Sequence, residues 1–352
     1  MTTRTLTRRT LFGSLAAATV YARLAMAKVA PSPAGLVDVH HHFIPPFWFD
    51  EVKQHISRQG GGRIVPNWYG WSEPQALERM DEAGVATAIV SISAPGVWFG
   101  DVAQGRRLAR ETSLYAAKLR QRHPQRFGFF AALPLPDIEG SLRAIEYAFD
   151  QLDADGVVVM TSYGDRWLGD PLFDPVLQEL NRRGAIVYVH PGSPACCSQL
   201  MSYVPPFLTE FTQDTNRTIT SLMFSGQLVR HRAIRFIFSH AGGTIPMLAG
   251  RIAQLSTSVP KLAATVPDGV EAELQRLHYE VANSANRPAM AALLSLVPAT
   301  QVMFGSDFPL VPIEATQAKL PDLGLSSSDL AAICNGTAGR LFALRRETAQ
   351  RP

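Results

Sequence analysis

Three histidines stand in a row within VDVHHHF, residues 37–43. Side chains alternate across an extended strand, so His40 and His42 share one face with Asp38, while His41 turns with Val39 to the other, toward an outer helix layer. Two imidazoles two residues apart can hold a cation together, although an H-x-H pair alone is weak evidence for one. Three more residues change its weight. His190 in VYVHPG, His240 in FSHAGG and Asp307 in GSDFP each follow a run of β-branched and aromatic residues, where a strand hands its last side chain to a loop. Any one of these histidines is more often a satisfied core or loop residue, and an isolated Asp307 more often a turn or cap carboxylate. Together, at the ends of four separate runs, they are hard to assign to independent accidents. Neutral imidazoles with one carboxylate suit Zn²⁺ or another divalent transition ion, with a position left open for water or substrate. Such an ion lowers the pKa of a bound oxygen and offsets negative charge. His240 is the natural proton-transfer partner, Asp307 can act as acid or base beside the ion, and Asp38, one layer deeper, is placed to orient a ligand.

Positioning these groups requires strands that end together. Eight apolar runs have the length of buried parallel strands: 36–43, 85–93, 126–134, 154–160, 184–192, 234–243, 277–283 and 301–309. Amphipathic stretches at 74–84, 106–124, 141–152 and 173–184 read as helices between them, the last stopping at Gly184. The alternation predicts an α/β fold, a (β/α)8 TIM barrel. A doubly wound open sheet is the weaker option, because no glycine-rich dinucleotide turn follows the first strand. The chemistry-bearing residues then fall at the C-terminal ends of strands one, five, six and eight, the end at which a barrel builds its site. The long connections at 44–73 and 193–214 leave the same end. Trp48, Phe49, Trp98 and Phe99, on the connections after strands one and two, are placed to sandwich a flat ring, although loop aromatics serve packing as often.

The 352 residues are within the range of one such barrel, and the mix of 46% hydrophobic and 18% charged residues is that of an ordinary globular chain. Residues 1–27 differ: four arginines and no acid, an apolar small-residue stretch, then Ala25-Met26-Ala27, a pattern expected of a signal peptide. The Arg8-Arg9 pair resembles a twin-arginine export signal, so the expected organisation is a leader at 1–27 and a metal-dependent barrel domain at 28–352. The location follows as periplasmic or exported, with the cytoplasm as the alternative. Loss of the leader would take the formal charge from +3 to −1, leaving no basic patch for a nucleic acid; no apolar span follows to hold the mature chain in a membrane. Three cysteines do not make a disulfide framework; Cys196 and Cys197 are adjacent and open to oxidation in an exported protein, but are expected to be structural.

DVHHHF, HPGSP, FSHAGG and FGSDFP, in this order and spacing, resemble the metal-dependent amidohydrolase superfamily, in the branch of non-oxidative decarboxylases related to aminocarboxymuconate semialdehyde decarboxylase. SISAPGVWFGD and RFGFFAALPLPD are most similar to 6-methylsalicylate decarboxylases. The resemblance implies His40, His42, His190 and Asp307 as metal ligands and His240 as a catalytic histidine beside the ion. Some relatives carry Glu in place of the ligand at His40. The absence of lysine from ADGVVVM implies one ion, Zn²⁺ with Mn²⁺ as the alternative, and not a carbamate-bridged pair. Arg251 matches an arginine that reaches the partner subunit's site in some relatives, which implies a homodimer; a solvated helix residue is the plainer reading. The implied reaction is decarboxylation of a small aromatic carboxylate of the hydroxybenzoate type, with Asp307 as proton donor, His240 stabilising the ring oxygen or relaying protons, and Arg251, Trp48, Trp98 and Phe99 as substrate contacts. Two alternatives stay open: hydrolysis of a lactone or amide on the same residues, and an exported protein that binds a metal or an aromatic acid without turnover.

Overall fold

The computed structural model describes residues 35–59, 70–197, 201 and 203–349; the leader expected at 1–27 lies outside them. Eight strands form one parallel sheet in chain order: β1 (Leu36–His42), β2 (Val85–Ser91), β3 (Phe127–Ala132), β4 (Gly156–Met160), β5 (Ile186–His190), β6 (Arg235–Phe238), β7 (His278–Glu280) and β8 (Val302–Met303). Every residue of β3, β4 and β5 is buried, which is why their sequences read as unbroken apolar runs. The two ends of the sheet meet. Val39 N donates to Phe304 O (3.1 Å), Asp307 N to His40 O (2.7 Å) and His42 N to Phe308 O (2.7 Å), closing a (β/α)8 barrel.

Helices fill the connections: α1 (Pro46–Gln59), α2 (Glu73–Glu82), α3 (Val102–Arg122), α4 (Ile138–Glu146), α5 (Asp174–Arg182), α6 (Glu210–Phe224), α7 (Ile245–Ser256), α8 (Arg287–Leu296) and α9 (Thr337–Ala349). Local chemistry sets their starts. Ser72, Asp101, Asp137 and Asn286 each sit just outside a helix and accept from a free amide of its first turn. Asp101 and Asp137 start α3 and α4 earlier than the apolar periodicity at 106–124 and 141–152 predicts.

Two expectations need correction. The final run, 301–309, forms a ladder only over Val302–Met303; beyond it the chain bends, with Asp307 in the left-handed region at φ 68°, and pairs residue by residue with β1. Within β1 the register to β2 shifts between Asp38 and His41. That irregularity breaks strict alternation: Asp38, expected on the face of His40 and His42, has its Oδ2 3.0 Å from the Nδ1 of the fully buried His41.

Candidate metal centre

β1 delivers His40 and His42 to the C-terminal mouth, β5 delivers His190 as its last residue, and the bend after β8 delivers Asp307. His42 Nε2 lies 3.1 Å from His40 Nε2 and 3.2 Å from His190 Nε2, and Asp307 Oδ1 is 3.2 Å from both His40 Nε2 and His42 Nε2. All four side chains are buried. These separations match the edge of a coordination shell, about 3.0–3.4 Å when ligand atoms sit about 2.0–2.2 Å from a common ion.

The opposite ring nitrogens fix what the Nε2 atoms can do. His42 Nδ1 lies 3.1 Å from the Ser91 carbonyl, His190 Nδ1 2.8 Å from the Pro191 carbonyl and His40 Nδ1 2.8 Å from Glu280 Oε1. Each acceptor is placed to take an Nδ1 proton, so all three Nε2 atoms converge on one point and can bind an ion through their lone pairs. Such an arrangement is satisfied by a cation. The donor set, three imidazole nitrogens and a carboxylate oxygen, fits one divalent ion.

Burial pushes the imidazoles toward their neutral form, and at His42 and His190 it prevails, leaving His190 well below the ordinary histidine value. His40 goes the other way. Burial is outweighed there by the carboxylates of Glu280 and Asp307, which lift it to about 10. Asp307, which burial alone would raise, is held well below the usual carboxylate range by the charge on His40. An ion bound through His40 Nε2 would therefore displace a proton.

His240 follows β6 at φ 53°, its ring stacked on His40 with centroids 5.2 Å apart. Its Nε2 is buried without a hydrogen-bond partner and lies 3.8 Å from Asp307 Oδ2, the oxygen not shared with His40 and His42. The second carboxylate oxygen and the unpartnered imidazole thus face one another across a short gap.

Glu280 and Asn283 escape the sequence reading. Glu280, at the end of β7, accepts from His40 Nδ1 and from His240 N (both 2.8 Å) and, through Oε2, from Ala282 N (2.6 Å), so one buried carboxylate sets two histidines. Asn283 donates to Asp307 Oδ2 (2.7 Å). The only available signal is an acid in the apolar run LHYEVAN, where a strand core rejects one without a purpose. Asp38 orients no imidazole of the cluster. It accepts from His40 N, Ser306 N and Ser306 Oγ, clamping β1 to the segment that carries Asp307.

The expected ring contacts are spread out. Trp48 is wholly buried, its indole donating to Gly96 O (2.8 Å), so it ties α1 to the connection after β2 and shows no face to a ligand. Trp98 packs over Gly105 of α3, Phe99 lies against His55 with ring centroids 4.7 Å apart, and Phe49 is buried with Lys53 over its ring. Trp98 and Phe99 keep partial exposure. Arg251 is exposed on α7, away from the chain's own cluster of ligands in sequence and on the outer layer.

The amidohydrolase family model matches residues 37–344, and the chain belongs to that family. Within it the chain stands among the decarboxylases. It is 35% identical over 286 residues to the 6-methylsalicylic acid decarboxylase of Penicillium expansum, covering 79% of this chain and 86% of that one. A decarboxylase of Aspergillus niger is 36% identical over 291 residues, covering 79% and 78%. Among solved structures, an amidohydrolase II superposes with a TM-score of 0.80 at 27% identity, covering 88% of this chain and 99% of that one. A 2,6-dihydroxybenzoate decarboxylase bound to 2,6-dihydroxybenzoate gives 0.77 at 21%, with the same coverage, and shares the fold.

Proposed function

We propose that the protein is a metal-dependent carboxy-lyase that removes CO₂ without oxidation from a small hydroxyaromatic acid of the 6-methylsalicylate type. The observation that carries this reading is the convergence of three Nε2 atoms and one carboxylate oxygen on one point, with Asp307 Oδ2, held by Asn283, 3.8 Å from the unpartnered His240 Nε2. The similarity to curated 6-methylsalicylic acid decarboxylases supports the substrate class.

His40, His42, His190 and Asp307 would hold one ion, for which nitrogen-rich ligation favours Zn²⁺ over Mn²⁺. When bound, it supplies the positive charge that fixes the acid's carboxylate and adjacent phenolate oxygens. The residues do the rest. Asp307, ionised at rest, takes a proton at Oδ2 from His240 in the substrate complex and delivers it to the ring carbon that carries the carboxylate; the carbon–carbon bond then breaks, its electron pair restores the aromatic ring, and CO₂ departs. His240 Nε2 stabilises the ring oxygen or returns the proton to Asp307. Asn283 keeps Oδ2 turned to the substrate side. Trp98 and Phe99 are the remaining candidates to border the ring.

The test is to incubate purified protein with 6-methylsalicylate or 2,6-dihydroxybenzoate and measure CO₂ and the matching phenol, beside a panel of lactones. CO₂ release supports the reading; turnover of lactones alone rejects it. Elemental analysis of the same preparation distinguishes zinc from manganese.

The assembly we propose is a homodimer in which Arg251 serves the neighbouring copy. Supporting it, Met247 and Leu255, 74% and 47% exposed, flank Arg251 one turn to either side on α7, an apolar stripe that gains by being covered. Export through the twin-arginine route remains our reading of residues 1–27; a mature chain starting near Lys28 in a periplasmic extract is its check.

A further inference from the structure

Cys334 is buried in the widened helical turn Ala332–Gly336, while Cys196 and Cys197 are neighbours on the connection that leaves β5. The two neighbouring sulfurs lie 2.9 Å apart. Cys196 is exposed and Cys197 only 8% exposed, so one thiol faces solvent and its neighbour backs it. Cys197 N donates to Pro194 O (3.0 Å), pinning the turn that brings the sulfurs together. The same connection starts at His190, and Gly192 N donates to Thr161 Oγ1, which in turn donates to the buried carboxylate of Asp214. The pair therefore hangs from the rim of the barrel by a short, well-anchored lead.

We propose that Cys196 and Cys197 form a modification site, a vicinal dithiol that a small-molecule disulfide such as oxidised glutathione converts into a ring disulfide between adjacent residues. The Cys196 thiolate attacks one reagent sulfur, forming a mixed disulfide and expelling one thiolate. Cys197 then loses its proton, attacks Cys196 Sγ and expels the second. The protein gives up two electrons and two protons, and one reagent disulfide becomes two thiols. The hydrogen bond to Cys196 raises the Cys197 thiol, in keeping with Cys196 as the first nucleophile. Backbone geometry makes the product labile. Adjacent Cα atoms are about 3.8 Å apart across a trans peptide, short of the roughly 4.4–6.8 Å that an unstrained disulfide spans, and strained disulfides are readily reduced. The site is a reversible one, not a staple. It needs neither ion nor substrate, so it stands or falls apart from the carboxy-lyase reading.

Full-length protein is treated with oxidised glutathione, alkylated, digested and analysed by mass spectrometry. The peptide carrying both cysteines should lack two hydrogens and resist alkylation, with dithiothreitol restoring both thiols. Cys197→Ser should stop at a stable glutathione adduct on Cys196, and Cys334→Ser should behave as wild type. Phenylarsine oxide, which bridges paired sulfurs, should bind wild type and neither Cys196→Ser nor Cys197→Ser. A glutathione adduct that persists on wild-type Cys196, two thiols that stay alkylatable under excess reagent, or disulfide-linked dimers would overturn the proposal.

Discussion

At the scale of single residues, the arrangement turns on which nitrogen of each histidine carries the proton. Glu280 fixes that choice at His40 and also holds the His240 backbone, so Glu280→Gln should lower metal affinity or turnover by about 10–100-fold while the far-ultraviolet circular dichroism stays that of the folded barrel. His190→Ala should remove both bound metal and CO₂ release, again without unfolding; full metal stoichiometry in that variant would refute the ligand set. The histidines and Asp307 were legible in the sequence because each closes an apolar run with a residue that a core does not take without cause. Glu280 was not, since its meaning depends on a neighbour 240 positions away in the chain. Nor was the backbone at His240, Asn283 and Asp307, all of which lie at positive φ, between 53° and 68°. Such residues carry about 1–3 kcal/mol of strain each and cluster where geometry is held by its surroundings.

At the scale of elements, the strands were readable from apolar runs because a parallel sheet buries both of its faces, whereas their ends were not, because pairing at the mouth depends on partners that are distant in the chain. β1 shows this: its bulge turns Asp38 toward His41 and Ser306, a contact that alternation alone does not foresee. Close approach is the counterpart at β8. A Cβ added at Gly305 would run into Glu280 Oε2 and come within 2.9 Å of His40 Cβ. Gly305→Ala should therefore destabilise the fold by about 1–3 kcal/mol and release bound metal, measurable as a lower unfolding midpoint and a lower metal content. A variant with unchanged metal binding would show that the seam between β7 and β8 gives way without disturbing Glu280.

At the scale of the whole molecule, the ion and the fold are linked. Removing it with a chelator should lower thermal stability, by roughly 3 kcal/mol where free ion had stood a hundredfold above its dissociation constant, and re-addition should restore both midpoint and turnover. A separate dependence comes from the other end of the barrel strands. Burial pushes His278, the first residue of β7, down to about 4. Its folded value lies below the ordinary 6.5, so the unfolded chain takes up the proton first and stability falls as pH drops from about 6.5 through 4. His278→Gln should flatten that acid limb in urea titrations at stepped pH; an unchanged limb would assign it to other groups. The barrel as a whole was foreseeable from eight runs and their spacing. A second copy against the exposed stripe on α7 is expected by resemblance alone.

The donor atoms come from the first strand, the fifth and the segment after the last, and the first and last are knitted by the bond from Asp307 N to His40 O. A chain still emerging from the ribosome, lacking residues beyond about 300, owns three imidazoles but neither the carboxylate nor the seam that aligns them. Tight capture of the ion thus waits for the segment that carries Asp307, and occupancy reports that the two ends of the sheet have met.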